Sequence, residues 1–134
     1  MPLVISDEAV ACCAVLTACL YSNELDTDTE KAAFQTTLRS RNVFQGYDIT
    51  DLVSVAEALL KEAGSSERLI ASAVPFLSSH NRLPLFLHCL EVILADGVVT
   101  PQEHKILQYL KGRLHIDDTT AWKAMEILVA KSKL

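Results

Sequence analysis

The chain has 134 residues, half of them apolar and 22% charged, with a formal net charge of −5. That length fits one domain able to bury roughly 68% of its unfolded surface without a disulfide or metal staple, and so large an apolar share excludes a disordered tail. Aromatic residues at only 6% and the negative charge argue against both a base-stacking platform and a duplex-binding protein, so nucleic acid is not an expected partner.

Seven helices are predicted in chain order, with no persistent strand-like alternation and no Gly/Ser- or Pro-rich linker. The first runs from about Asp7 to Ser22, with Ser6 as its N-cap. The second covers about Thr27 to Ser40. The third begins near Thr50 and ends before Gly64, a residue suited to the left-handed position that closes a helix. The fourth extends from Ser66 toward Ser79, with a kink or an early end at Pro75. The fifth starts near Pro84, which suits a first helical position, and ends before Gly97. The sixth covers Pro101 to about Gly112. The seventh starts after Asp117 or Asp118 and runs to the end, with Lys131 and Lys133 at its negative pole.

The first and fifth helices are apolar almost all round, as in Ala9-Val10-Ala11-Cys12-Cys13-Ala14-Val15-Leu16 and Leu85-Phe86-Leu87-His88-Cys89-Leu90. A helix without a wet face must be enclosed by others, so these two are expected side by side at the centre. The longest apolar stretch, Ala9 to Tyr21, is too short for a membrane, which needs about 20 residues. Asp7 and Glu8 stand where a signal peptide carries basic residues. Neither direct membrane insertion nor export is expected. Three of the four cysteines (Cys12, Cys13 and Cys19, with Cys89 the fourth) lie in the first apolar helix, as free thiols packing like small hydrophobes do, which points to a reduced, cytoplasmic protein.

A local grammar follows each central helix. Gly97 and Asn23 share an offset; Val99 and Leu25 are each the one apolar residue expected to be buried in its loop; Thr100 with Glu103, and Thr27 with Glu30, have capping-box spacing. The expected fold is therefore all-α, a seven-helix bundle of two pseudo-repeated three-helix units around two apolar central helices, with one helix between the units. A single helical domain spans residues 1–134.

Ala95-Asp96-Gly97-Val98-Val99-Thr100-Pro101-Gln102-Glu103, followed by Ile106-Leu107-Gln108-Tyr109-Leu110 and Leu114-His115-Ile116, resembles the TerB-like family associated with tellurite resistance. Leu16 to Leu38 looks like the weaker copy that such proteins carry, with Ser22-Asn23 in place of Asp-Gly. The resemblance implies a compact helical fold, a cytoplasmic location, no catalysis and a role as an interaction module in stress response. Its implied partner is another protein, in a stress-response or membrane-associated complex, because a related domain occurs in a membrane-anchored co-chaperone. It also implies acidic surface patches that bind metal.

The residues themselves offer one cation-binding set. Glu24, Asp26, Asp28 and Glu30 bring four carboxylates within seven residues, and Asp96 and Glu103 lie in the matching second loop. Oxygen-rich clusters suit hard divalent cations, the one cofactor class admitted here. The same carboxylates also serve as helix caps, stabilised by the positive end of the helix dipole. An EF-hand is excluded, since placing Gly97 at the sixth loop position puts Val92 and Leu94 where the first oxygen ligands belong. A site shared between the two loops requires the Asp26 and Asp96 carboxyls to approach. A metal-ion sensor or buffer using these loops is the alternative to the interaction module.

Catalytic motifs are missing: there is no phosphate loop, Gly-x-Ser-x-Gly or His-Glu-x-x-His. His88 and Cys89 are neighbours that point about 100° apart on a helix, hence poor partners. Arg39 and Arg41 complement the end of the second helix, and Phe44 and Tyr47 are expected to plug the bundle rather than anchor a partner.

Overall fold

The computed structural model describes residues 4–22, 28–95 and 99–133. Within them lie seven α-helices and no strand: α1 Glu8–Leu20, α2 Asp28–Ser40, α3 Ile49–Ala63, α4 Ser66–Ala73, α5 Ser79–Leu94, α6 Pro101–Arg113 and α7 Asp118–Ser132. Short 3-10 turns, Asn42–Phe44 and Val74–Phe76, follow α2 and α4. None of the described helices is long and apolar enough to cross a membrane.

Alpha-1 is the axis of the molecule. Every residue from Ala9 to Leu20 is buried, and the helix packs against α2, α3, α4, α5 and α6. Its Ala and Cys side chains are short, so five neighbours can approach its backbone while larger residues such as Phe34, Leu69 and Phe86 fill the gaps. Alpha-5 lies against α1 and also meets α2, α6 and α7. It is less enclosed than its sequence suggests: Leu85, Phe86, Cys89, Leu90 and Val92 to Leu94 are buried, while Leu87, His88 and Glu91 form a half-buried edge. Alpha-2 and α3 both pack on α1, and α6 and α7 both pack on α5. Alpha-4 joins α1, α3 and α6.

The helix ends follow local chemistry, with two departures from expectation, at the starts of α1 and α5. Asp7, not Ser6, caps α1; its Oδ1 accepts from the Val10 N–H at 2.9 Å. Alpha-4 ends early, as Pro75 predicts, and that proline sits in the 3-10 turn that follows. Alpha-5 begins at Ser79, five residues before Pro84, so that proline lies inside the helix and not at its start. Pro84 has no N–H to offer the His80 carbonyl. What holds the turn ahead of it comes from another helix: Glu8 accepts hydrogen bonds from the Ser78 backbone N–H, the Ser78 hydroxyl and the Asn81 amide. Gly64 closes α3 in the left-handed conformation at φ 85°, as its sequence position requires.

Candidate functional site

The six carboxylates read as cation ligands separate into three groups. Glu24, Asp26 and Asp96 lie outside the described residues, and with them the test of whether the two acidic loops meet. Asp28 is exposed in the first turn of α2. Glu30 and Glu103 are each only 2% exposed. Glu103 completes a capping box: its Oε1 accepts from the Thr100 N–H at 3.0 Å, and its own N–H donates to Thr100 Oγ1 at 3.1 Å. Among the described residues no group of three or more His, Cys, Asp or Glu side chains is placed to hold a metal ion. The pattern that suggests a ligand in the sequence therefore resolves, at Glu103, into a helix start.

Val99 is exposed, against the expectation that it is buried in its loop. It precedes the Thr100 cap, where an apolar residue ordinarily staples onto the fourth helical position. That position is His104, which is polar and exposed, so Val99 finds no apolar partner there.

The thiols are chemically quiet. All four cysteines are free and buried. Burial pushes Cys12 up to about 12, with the nearby Glu8 charge adding to it. Burial pushes Cys13 up to about 11 despite a hydrogen bond with Thr17. Cys89 is raised by full burial and by its contact with Cys19. The thiolate is the nucleophile and metal ligand, and these sites disfavour it. His88 does not pair with Cys89; the acid beside it is Glu91, with 3.7 Å between His88 Nδ1 and Glu91 Oε1.

Phe44 is buried, as expected of a plug. Tyr47 is not; it is 41% exposed, and its hydroxyl donates to Asp7 Oδ2 at 2.7 Å, tying the loop before α3 to the cap of α1. The hydroxyl finds its partner at the surface, which suits a ring with one apolar body and one polar tip.

The feature missed by motif reading is the outer surface of α7. That helix packs on α5 and contributes the buried Ala121 and Ala124, with Met125 and Leu128 half-buried against the core. Trp122 remains 64% exposed and Ile127 67%, with Val129 also at the surface. Trp122, Met125, Glu126, Val129, Ala130 and Lys133 line a shallow surface depression. Isolated exposed apolar residues are ordinary, but here a Trp and a Val lie two turns apart on one side of a helix, beside the half-buried Met125. The signal was present as apolar residues around the whole of α7, more than a single docked face can bury.

The family described as tellurite resistance protein TerB matches residues 9–126, so the match leaves out eight residues at each end of the chain. No curated protein and no solved structure matched the chain.

Proposed function

The chain belongs to the TerB family of tellurite-resistance proteins, and on that premise we propose that it is a non-catalytic module that works by binding another protein in a stress-response system. The observation that carries this reading is the exposed face of α7. An indole 64% open to solvent is the residue type most often found at the energetic centre of an interface. Beside it, Glu126 and Lys133 supply the polar rim that such a contact uses for register. The raised thiols of Cys12, Cys13 and Cys89 support the non-catalytic part, since none of the three is poised as a nucleophile.

A photoreactive amino acid at position 122 tests the reading in the cell. A discrete heteromeric adduct is expected there, absent when the same group replaces exposed Gln102 on α6, and lost when Val129→Ser weakens the surrounding face. Equal labelling from positions 122 and 102 would remove the reason for assigning the face to a partner.

A further inference from the structure

A second feature lies away from α7, where α1, α5 and the 3-10 turn Asn42–Phe44 converge. A cavity of about 160 Å³ opens there, with Leu16, Val43, Phe44 and Leu85 among its walls and Arg41 and His88 among the residues around it. We propose that this cavity binds a small amphiphilic carboxylate, its apolar body against Leu16 and Leu85 and its anionic head at the Arg41 guanidinium.

Size, wall chemistry and charge each contribute. The volume is close to that of an engineered apolar cavity of about 150 Å³ that stays dry and takes up benzene, so the body has about six carbons. Apolar walls favour a dehydrated hydrocarbon over a polar solute. Arg41 is exposed at the end of α2 and carries a permanent charge with a planar donor fork suited to a carboxylate. His88 Nδ1 is buried and has no hydrogen-bond partner among the described residues. Closed off even to a water-sized atom, that nitrogen belongs to the packed wall behind the cavity, and the group that can meet an anionic head is Arg41. Two acids stand near and keep their charge: Glu8, hydrogen-bonded to Ser78 and Asn81, acts on Cys12 in the wall, and Glu91 stands 3.7 Å from His88 Nδ1, so the anionic head belongs on the Arg41 side of the opening.

The position of the cavity also has a local origin. Pro84 lines it and removes one backbone N–H from α5, and Cys12 on α1 is too small to fill the space that a Leu would occupy. The cleft is therefore built by two helices and the 3-10 turn that follows α2.

The test uses the full chain with four probes, followed by methyl and histidine-ring NMR. Sodium hexanoate is expected to shift Leu16, Val43, Leu85 and His88 saturably, whereas acetate (head alone) and hexylamine (opposite head) leave them in place. 1-Hexanol is expected to bind at least five-fold more weakly than hexanoate. Arg41→Gln, a change at an exposed position, is expected to weaken hexanoate at least five-fold without altering 1-hexanol. Hexanoate shifts that grow linearly, or that fall only on surface Lys and Arg residues, would overturn the site. Equal affinity for hexanoate and 1-hexanol, or an unchanged Arg41→Gln variant, would overturn recognition of the anion.

Discussion

Glu8, in the first turn of α1, accepts a hydrogen bond from the backbone N–H of Ser78, seventy residues away, and so caps α5 from a different helix. Ser78 occupies the N-cap position of α5 but makes no side-chain cap bond along its own helix; its hydroxyl turns to Glu8 instead. One carboxylate thereby ties together the starts of the two central helices. Glu8→Gln keeps the shape and removes the charge, and Glu8→Ala removes the acceptor altogether. A lost cap costs about 0.5–2 kcal/mol. Urea unfolding is expected to place Glu8→Ala within that range below the wild type and Glu8→Gln between the two. An unchanged midpoint for Glu8→Ala would mean that water replaces the carboxylate without loss.

Acid should weaken the fold in two stages, and the signs can be worked out. His88 is held below its ordinary value of 6.5 by burial, partly offset by Glu91 and reinforced by Arg41. The unfolded chain therefore takes up that proton first, so the stability it contributes is complete above 6.5 and is lost as pH falls toward the folded value. Burial acts to raise Glu8, but hydrogen bonds from Ser78 and Asn81, with His80 nearby, outweigh it and leave the carboxyl below its ordinary 4.5. Its contribution is present above 4.5 and disappears as pH falls through the folded value. Thermal unfolding of the wild type from pH 8 to pH 3 is expected to fall in both windows. His88→Gln is expected to flatten the first alone, and Glu8→Gln the second alone.

Thiol chemistry provides a check on the core. With Cys12 at about 12 and Cys13 at about 11, and both buried, modification at pH 8 must wait for the chain to open. Iodoacetamide is expected to label the folded protein at a rate that rises with urea in step with unfolding, for Cys19 and Cys89 as for the other two. Rapid labelling of one thiol in native buffer would show a local opening of α1 or α5.

The parts of the fold that could be read from sequence are those governed by local rules. Alpha-1 announced its central place because Ala9 to Leu20 leaves no polar face, and Gly64 and Thr100 marked helix ends by their own conformational and capping preferences. The start of α5 could not be found this way. Pro84 looked like a first residue because the true cap, Glu8, is supplied by a chain segment seventy residues earlier, a tertiary contact that leaves no local trace. The candidate surface eluded motif reading for a related reason. Trp122 and Val129 look like core residues until the packing of α7 on α5, with Ala121 and Ala124 buried, decides which side of α7 stays outside. At Glu103 the spacing after Thr100 was legible as a capping box, and both of its hydrogen bonds are present.

Divalent cations should therefore produce little at the second loop. Glu103 is engaged with Thr100, and Glu30, only 2% exposed, is withdrawn from solvent. Hard cations demand six or more oxygen ligands for calcium and near-octahedral geometry for magnesium. Titration with calcium, magnesium, manganese and zinc is expected to give unselective, millimolar amide shifts at Asp28 and Thr100. A selective micromolar site would restore the sensor reading. Asp26→Asn with Asp28→Asn would then be required to abolish it.

Alpha-6 ends in a Schellman arrangement whose key residue is not glycine. The Ile116 N–H donates to the Lys111 carbonyl at 3.0 Å and the His115 N–H to the Gly112 carbonyl at 3.3 Å, which holds His115 at φ 57°. A residue with a Cβ pays roughly 1–2 kcal/mol for that left-handed conformation, while glycine gives up about 0.5–1 kcal/mol in chain entropy. His115 is exposed, so little packing is at stake. His115→Gly is expected to raise stability by roughly 0.5–1 kcal/mol in urea unfolding. Gly64→Ala supplies the converse: a Cβ there meets nothing within 4 Å at φ 85°, so the expected loss of about 1 kcal/mol is conformational and not steric. If both changes left the midpoint in place, left-handed strain would not be what limits these two helix ends.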